Sequence, residues 1–260
     1  MIQEISYTQL ALAYLFIIAV LLISAHARIG REKEIAAACA RMTVQLILVG
    51  YVLSFVFSNP HPLLSLIIVA CMAAFAVNNV KRRVKGRLSP RLMKIISLSM
   101  WASTAVCLLF FVLVVIGIRP WYDPQYFIPI CGMILGNSMN GIALGAARLT
   151  KGFETMRGEV ETALMLGATP KKASRRILQD AFDSALMPTI NNMVGMGIVS
   201  LPGMMTGQIL AGNSPLLATR YQIGVMLAIS ASVALASILL VEFGCRTFFN
   251  KRGQLVTEGN

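Results

Sequence analysis

Long apolar runs, separated by short polar segments, dominate the hydrophobic pattern of this chain. Each run is close to the ~20 apolar residues that an α-helix needs to cross the hydrocarbon core of a bilayer. The pattern predicts seven membrane-spanning helices, over residues 7–25, 35–57, 63–80, 95–118, 126–147, 184–212 and 216–244. We therefore expect an all-α polytopic membrane protein in which residues 1–260 form one transmembrane domain.

The composition excludes an ordinary soluble domain. Hydrophobic residues make up 57% of the chain and charged residues 13%, and the mean hydropathy is +0.72. The first apolar run does not resemble a cleaved signal peptide. Its only preceding charge is Glu4, it lacks a basic segment in front, and it is too long.

The basic residues predict the orientation of the chain. With seven spans and the N-terminus outside, 20 of the 23 Lys and Arg residues fall in the cytoplasmic segments. These residues are Arg28, Arg31, Lys33, Lys81, Arg82, Arg83, Lys85, Arg87, Arg91, Lys94, Arg148, Lys151, Arg157, Lys171, Lys172, Arg175, Arg176, Arg246, Lys251 and Arg252. Cytoplasmic loops of membrane proteins carry this excess of positive charge. We interpret the net charge of +12 as topology in the inner (plasma) membrane, with a cytoplasmic C-terminus, and not as a nucleic-acid-binding surface.

The motifs of an enzyme are missing from the sequence. The five cysteines occur singly, without the spacing of a metal site. Neither a G-x-x-x-x-G-K-[ST] phosphate loop nor a nucleophile–base pair is found. We expect a chain that binds no cofactor and does not hydrolyse ATP, so that energy for any transport comes from an ion gradient or another polypeptide.

A charged segment over residues 148–183, between the fifth and sixth predicted spans, reads as a helix, a tight turn and a second helix. Residues 157–166 are amphipathic, and Gly167 stands where a left-handed C-terminal cap is favoured. Thr169 is a candidate N-cap, followed by Pro170 at the first helical position. A helix lying on anionic lipid headgroups would explain the basic residues. The acidic Glu154, Glu159 and Glu161 ahead of the turn favour docking to a cytoplasmic protein.

The spacing in this segment resembles the coupling loop of ABC-transporter permeases, which fits a cleft in an ATPase subunit. Glu161-Thr-Ala163, Gly167 three residues later and Ile177 nine residues further match the importer form of that loop. The Leu-Pro pair expected after Ile177 is replaced by Gln179 and Asp180. The resemblance implies that Glu161, Ala163, Gly167, Ala168, Thr169 and Pro170 couple the chain to an ATPase.

Five further stretches extend the resemblance over nearly the whole chain. QLILVGYVL (45–53), PICGMILGNSMN (129–140), LMLGATPKKA (165–174), GIVSLPGMMTGQILAG (197–212) and RYQI (220–223) are similar to the FetB (YbbM-like) family. Its members are membrane subunits of a proposed bacterial iron exporter, and plant aluminium-tolerance proteins are relatives. The resemblance implies an ABC permease that exports iron or another metal as a homodimer. A separate FetA-type ATPase subunit would carry ATP and Mg²⁺.

The fifth predicted span carries small and polar residues at membrane depth. Gly132, Gly136, Gly141 and Gly145 form two pairs at four-residue spacing, which allows helices to approach closely. Asn137 and Asn140 lie between them. Because polar groups at this depth line bundle interiors or water-filled cavities, we take both asparagines as candidate pathway residues.

The sixth predicted span is too long for one straight crossing, since 29 residues extend ~43 Å against a ~30 Å hydrocarbon core. Pro202 and Gly203 predict a break, with a helix to about Val199 before it and a shorter segment after it. Irregular backbone at membrane depth must be covered by protein or face water. We interpret the break as a gate or a subunit contact.

Polar and sulfur-containing side chains flank this break. Asn191, Asn192 and Gln208 are the candidates for groups lining a pathway, together with Met204 and Met205. Thioethers suit soft ions such as Cu(I), whereas Fe(II) prefers nitrogen and oxygen donors. Since neither histidine nor carboxylate joins the methionines, packing is the favoured interpretation of them.

Three other functions are compatible with parts of the pattern. The plant relatives have been linked to a nucleotide sugar, so an ABC permease for such a small solute is one alternative. A secondary transporter driven by an ion gradient is another, although it would need carboxylates at the span centres, where this chain has none. A membrane scaffold that only recruits an ATPase would not need a polar, broken span.

The predicted topology can be tested with introduced cysteines. Single cysteines at Ser58 and Lys85 are expected to react with a membrane-impermeant thiol reagent from opposite sides of the membrane, because one span separates them. The unsubstituted chain gives the background from its native cysteines. Reaction of both positions from the same side would contradict the seven-span topology.

Overall fold

The computed structural model describes residues 5–84, 89–250 and 252–256. Lys85, Arg87 and Lys251, which the orientation argument places in the cytoplasm, lie outside the described residues. Within the described residues the regular elements are helices, apart from two isolated β-bridges. The all-α prediction is therefore confirmed.

The helices are numbered in chain order. They are α1 (Tyr7–His26), α2 (Glu32–Ser58), α3 (Pro62–Arg83), α4 (Pro90–Phe110), α5 (Pro124–Thr155), α6 (Arg157–Met165), α7 (Pro170–Ala173), α8 (Arg175–Gly195), α9 (Gly203–Leu210) and α10 (Pro215–Cys245). A π-helical turn, Phe111–Ile116, continues α4, and a 3₁₀ turn, Arg246–Phe248, follows α10. Proline at the first turn begins five of these described helices, where its fixed φ is favourable and its missing N–H is not needed.

The chain divides into two compact units, residues 1–60 and 61–260. The first contains α1 and α2, joined by a short turn in which Gly30 has a φ of +75°. The Ser24 hydroxyl donates a hydrogen bond to Glu32 Oε1 at 2.8 Å across that turn, and the Tyr14 hydroxyl bonds the Thr43 hydroxyl between the helices. Most other side chains of this unit are apolar and exposed, as expected of helices that contact lipid.

The second unit is built around α5. This helix packs against α3, α4, α8 and α10, and α10 in turn packs against α4, α8 and α9. The buried side chains form three clusters in sequence along α5: one around Ile130 and Ile134, one around Ile142, and one around Leu149 and Phe153. A continuous apolar core therefore follows α5 from one end to the other.

Two of the predicted small-residue positions bring α8 close to α5. A Cβ atom at Gly141 would lie 2.9 Å from the Ala185 carbonyl oxygen, and one at Gly145 would lie 3.2 Å from the Ala181 carbonyl oxygen. A Cβ atom at Gly132 would contact the Met72 side chain at 3.0 Å, whereas one at Gly136 would meet no atom within 4 Å. The four glycines are thus not equivalent.

Six helical stretches in the described part of the chain are long and apolar enough to cross a membrane. They correspond to the first five predicted spans and to the last one. The region of the sixth predicted span, 184–212, is not one helix: it is divided between α8 and α9. The predicted break is present, but the helix before it ends at Gly195, four residues earlier than Val199. A seventh crossing stays a prediction.

The two helices that flank the charged segment, residues 148–183, both extend into it. Helix α5 continues to Thr155, well past the predicted end of the fifth span at 147. Helix α8 begins at Arg175 and runs without interruption into the region assigned to the sixth span. Hydropathy marks where side chains become polar, but both helices continue into the polar residues because their apolar faces remain packed on each other.

The close approach of α5 and α8 predicts opposite effects for alanine at two glycines of α5. Gly141→Ala is expected to lower the free energy of unfolding by ~1–3 kcal/mol, because the new methyl group would be forced against the Ala185 backbone. Gly136→Ala, the matched control, is expected to raise it by up to ~1 kcal/mol through helix propensity. Thermal unfolding of the purified variants in detergent measures both. Equal midpoints for the two variants would contradict the packing described.

Candidate functional site

The first group of candidate residues forms a capped turn after α6. Gly167 has a φ of +86°, in the left-handed region that favours glycine. The Gly167 N–H donates to the Leu164 carbonyl at 3.0 Å, and the Ala168 N–H donates to the Ala163 carbonyl at 3.0 Å. This pair of bonds is the Schellman motif, which satisfies the last carbonyls of a helix. The predicted left-handed cap is confirmed, and it assigns structural roles to Ala163, Gly167 and Ala168.

A second cap, at the N-terminus of α7, follows the turn. The Thr169 side chain accepts a hydrogen bond from the Lys172 N–H at 3.4 Å, and Pro170 takes the first position of α7. Ser174, which is fully buried, donates to the Pro170 carbonyl at 2.7 Å. The local geometry that the sequence predicts for Thr169 and Pro170 is therefore present.

The turn presents apolar side chains at its tip. Met165 and Leu166, next to Gly167, are each 84% exposed. The nearby acidic residue Glu161 accepts a hydrogen bond from Arg157 Nε at 2.8 Å within α6. We refer to residues 157–174, with this tip, as the turn segment.

The turn segment is held against the ends of α5 and α10. An ion pair joins Lys171 Nζ of the turn segment to Glu242 Oε2 of α10 at 2.6 Å, and a second, just beyond the segment, joins Arg148 Nη2 of α5 to Asp180 Oδ2 of α8 at 2.8 Å. Because these ion pairs are largely exposed, they add little to the stability of the fold and mainly orient the helices that they join. The buried side chains beneath them, Val160, Ile177 and Leu178 among others, supply the apolar contact.

The C-terminal residues complete this support, which the sequence did not predict. Phe248 stacks on Phe153 of α5 with ring centroids 4.2 Å apart, and Phe249 meets the same ring edge-on. The Val256 N–H donates to the Phe248 carbonyl at 2.8 Å, which folds the tail back on itself. Gly253 then comes close to Pro170 of the turn segment.

The break between α8 and α9 has its own hydrogen bonds. The Val199 N–H donates to the Gly195 carbonyl at 3.0 Å, and the Gly197 N–H donates to the Ser200 carbonyl at 2.9 Å. Gly197 has a φ of +86°, and its position makes the change of direction possible. The sequence predicted the bend at Pro202 and Gly203. Pro202 instead caps α9, and Gly203, whose φ is not positive, is simply its first residue.

The candidate asparagines are not brought together. Asn137 donates to the Met133 carbonyl of its own helix at 2.8 Å. Asn140 is exposed and accepts a hydrogen bond from Arg83 Nη1 at 2.6 Å. Asn191 and Asn192 are exposed near the end of α8. The asparagines of α5 thus serve contacts within α5 and to α3, while those of α8 lie at its surface.

Sulfur and amide groups gather where the break meets α10. Met204 is half-buried against the core, and the Met205 thioether lies 4.0 Å from the Thr219 hydroxyl. The side-chain oxygen of Gln208 is buried without a hydrogen-bond partner among the described residues, and so is that of Gln222. Gln222 was not among the predicted site residues. It could have been recognised as the one amide side chain in the strongly apolar helix α10.

The fold and these sites define a class of protein: a polytopic all-α membrane protein with a break between α8 and α9 and a capped turn segment. Residues 7–249 match a family model described as "Uncharacterised protein family (UPF0014)". The chain belongs to this family.

Three relatives illustrate the similarity. The UPF0014 membrane protein slr1647 of Synechocystis is 42% identical, and the aligned region covers 83% of each chain. The "Probable iron export permease protein FetB" of Escherichia coli is 34% identical over 98% of this chain and 96% of its own length. The UPF0014 membrane protein STAR2 of rice is 36% identical over 88% of this chain and 78% of its own. The family resemblance is thereby confirmed. Comparison with solved structures gives no significant match.

The geometry of the break predicts that Gly197 is its sensitive residue. Gly197→Ala is expected to lower the free energy of unfolding by ~1–2 kcal/mol, since a residue with a Cβ atom is strained at this φ. Gly207→Ala in α9 is the matched control: it has open space and no positive φ, and should be neutral or stabilising by up to ~1 kcal/mol. Thermal unfolding in detergent compares them. An unchanged midpoint for Gly197→Ala would contradict the assignment of the bend.

Proposed function

We propose that this chain is the membrane permease subunit of an ABC transporter that exports iron or another metal. ATP would be hydrolysed by a separate ATPase subunit that docks on the turn segment from the cytoplasm. Two copies of the chain would form the complex, because an ABC transporter has two ATPase subunits and each needs a docking site. The N-terminus would lie outside and the C-terminus in the cytoplasm of the inner membrane.

The observation that carries this proposal is the exposed apolar tip of the turn segment. Met165 and Leu166 project from a turn closed by two hydrogen bonds, and their neighbours fix its position on α5 and α10. Burying a Leu-sized side chain in a partner's groove contributes ~1.5–3 kcal/mol. Because the turn is already ordered, little conformational entropy would be lost on binding.

A role on the lipid surface accounts for this segment less well. Lys171, Lys172, Arg175 and Arg176 are exposed and would suit anionic headgroups. An amphipathic helix on a membrane, however, lies flat with its apolar face down. Here the apolar residues of α6 and of the first turn of α8 are largely buried in the protein, and the exposed large apolar side chains of the turn segment, Met165 and Leu166, lie at its tip.

The similarity to named proteins supports the direction and the cargo. The Escherichia coli relative is named as an iron export permease, and its alignment covers almost the whole of both chains. The proposal carries that activity over to this chain. The ATPase partner would supply the bound ATP and Mg²⁺, and the permease would supply the pathway, with the break between α8 and α9 as its gate.

Two substitutions test docking at the turn. Gly167→Val is expected to strain the left-handed cap by ~1–2 kcal/mol and to misplace the tip. Met165→Ser with Leu166→Ser leaves the turn intact but removes its apolar contact, with an expected loss of ~10-fold or more in affinity for the ATPase. The measurements are copurification with a coexpressed P-loop ATPase subunit of the FetA type and stimulation of its ATP hydrolysis.

Gly158→Val is the matched control, because Gly158 lies in the same segment, has open space around it and does not have a positive φ. It should copurify with the ATPase and stimulate it normally. If the Gly167 and tip variants behave like this control while remaining folded, the turn segment is not the docking site.

A further inference from the structure

A groove opens where the end of α3 meets the start of α4. It has a volume of about 610 Å³, and the residues that line it include Lys81 of α3 and Met93, Lys94, Ser97, Leu98 and Trp101 of α4. We call it the α3–α4 groove. Sites for small ligands have volumes of ~300–1,000 Å³, so this groove is large enough to hold a ligand.

Buried side chains hold the two helices together under this groove. Val80 of α3 packs in one apolar cluster with Leu92 and Ile96 of α4, and each of the three is at most 2% exposed. Val80 directly precedes Lys81, while Leu92 and Ile96 lie two positions before and after Lys94. The backbone that carries each lysine is therefore fixed before anything binds.

The charge of the groove is positive. Lys81 and Lys94 are the charged residues among those that line it, and both are exposed. In the described part of the chain, neither lysine takes part in an ion pair. The sequence contains no Asp or Glu between Glu34 and Asp123, so α3, α4 and the segment between them cannot supply a carboxylate. Two ammonium groups in such surroundings attract an anion.

Along α4, the lining of the groove changes from charged to apolar. Lys94, Leu98 and Trp101 follow one another at spacings of four and three residues, so they lie on one face of the helix. Leu98 is 70% exposed and Trp101 is 41% exposed. From Lys94 to Trp101 this face extends ~10.5 Å along the helix axis. A ligand that covers it has an anionic group at one end and an apolar part at the other.

The groove lies at one end of two helices that are long and apolar enough to cross a membrane, Pro62–Arg83 and Pro90–Ile116. Lys81 and Lys94 are close to the ends of these helices, and Leu98 and Trp101 lie further toward the middle of the second. The excess of basic residues predicts that this end is cytoplasmic. Basic pockets between membrane helices on that side bind the headgroups of anionic lipids.

A phospholipid matches the whole groove, whereas a soluble anion matches only its charged half. Inorganic phosphate would contact the two lysines and leave Leu98 and Trp101 uncovered. Trp101 lies 11 residues, or ~16 Å, beyond the first residue of α4, which places its ring along the apolar part of the helix. An acyl chain lies at that depth whenever the phosphate of the same lipid lies at the helix end.

A second groove, beside α7, α8 and α10, differs in its charge. It has a volume of about 880 Å³ and is lined by the basic residues Lys171, Lys172 and Arg175 and by the acidic residues Asp180, Asp183 and Glu242. Lys171 and Glu242 form an ion pair at 2.6 Å. Because the formal charges of these residues balance, this groove offers an anionic lipid no net attraction.

We propose that the α3–α4 groove binds an anionic phospholipid. The phosphate lies between Lys81 and Lys94, and an acyl chain covers Leu98 and Trp101. A lipid such as phosphatidylglycerol brings a net negative charge to the lysines, whereas phosphatidylcholine adds a cation of its own beside them. The site uses neither the turn segment nor the break, so it does not depend on the proposed permease function.

Fluorescence of Trp101 can report the bound lipid. The chain has two tryptophans, and Trp121→Phe leaves Trp101 as the one that emits. The full chain with this substitution is placed in phosphatidylcholine bilayers that contain increasing fractions of phosphatidylglycerol or phosphatidylcholine with brominated acyl chains, which quench tryptophan on contact. Half-quenching is expected at an about 25-fold smaller fraction of the brominated phosphatidylglycerol, from about 5-fold for each lysine.

Three pairs of substitutions in the same chain test the role of the lysines. Lys81→Gln with Lys94→Gln should abolish the preference, so that both brominated lipids quench equally. Lys81→Arg with Lys94→Arg keeps the charges and should keep the preference. Lys33→Gln with Lys151→Gln is the matched control, because it removes the same charge from exposed positions that do not line the groove. It should also keep the preference, and thermal unfolding checks that each variant is folded.

Equal quenching by the two lipids with the native lysines would overturn the proposal. A preference that survives in the Lys81→Gln, Lys94→Gln chain, or that is lost equally in the control, would do the same. Excess inorganic phosphate, compared with sodium chloride of equal ionic strength, separates a lipid site from a site for a free anion. Recovery of Trp101 fluorescence in phosphate alone would also overturn the proposal. The ATPase is absent throughout, so no result here bears on the permease function.

Discussion

A backbone N–H or C=O group that is hidden from water must be satisfied by the protein itself, and this constraint governs the arrangement around α8 and α9. An uninterrupted helix meets it automatically. The break does not, and it is stable because its own short-range bonds, such as those from Val199 to Gly195 and from Gly197 to Ser200, replace the missing helical ones. It also lies against α10, which packs on both α8 and α9. Helix α10 is thus the surface against which the irregular backbone of the break is packed.

The features that the sequence predicted best are those decided within a few residues. The cap at Gly167, the N-cap at Thr169 and the proline at the start of α7 depend on local backbone preferences, and all three are present. The apolar runs likewise locate most of the long helices, because the length of a membrane crossing is fixed by the bilayer. Local backbone preferences were sufficient to predict the caps, and the thickness of the bilayer was sufficient to predict most of the long helices.

The features that the sequence could not predict depend on contacts between distant residues. The hydrogen bond from Arg83 to Asn140, for example, joins residues 57 positions apart. The bend was predicted at Pro202 and Gly203, whereas the left-handed φ of Gly197, where the chain turns, cannot be read from the sequence. The ends of α5 and α8 could not be read from hydropathy, because it reports the surroundings of side chains and not the continuity of a helix. Thr219, Gln222 and Ser230 of α10 contact methionine sulfur atoms because the break places those atoms beside this helix.

Helix α8 connects the two candidate sites directly. It begins beside the turn segment, ends at the break, and spans ~31 Å as one continuous helix. Its middle lies against α5 so closely that the Ala181 and Ala185 carbonyls approach the positions of Gly145 and Gly141. Interfaces packed this tightly shift as units and do not deform gradually. A displacement of the turn segment by a docked partner would therefore not be absorbed within α8. It would move the far end of the helix, where Met193 faces Ser230 of α10, and with it the start of the break.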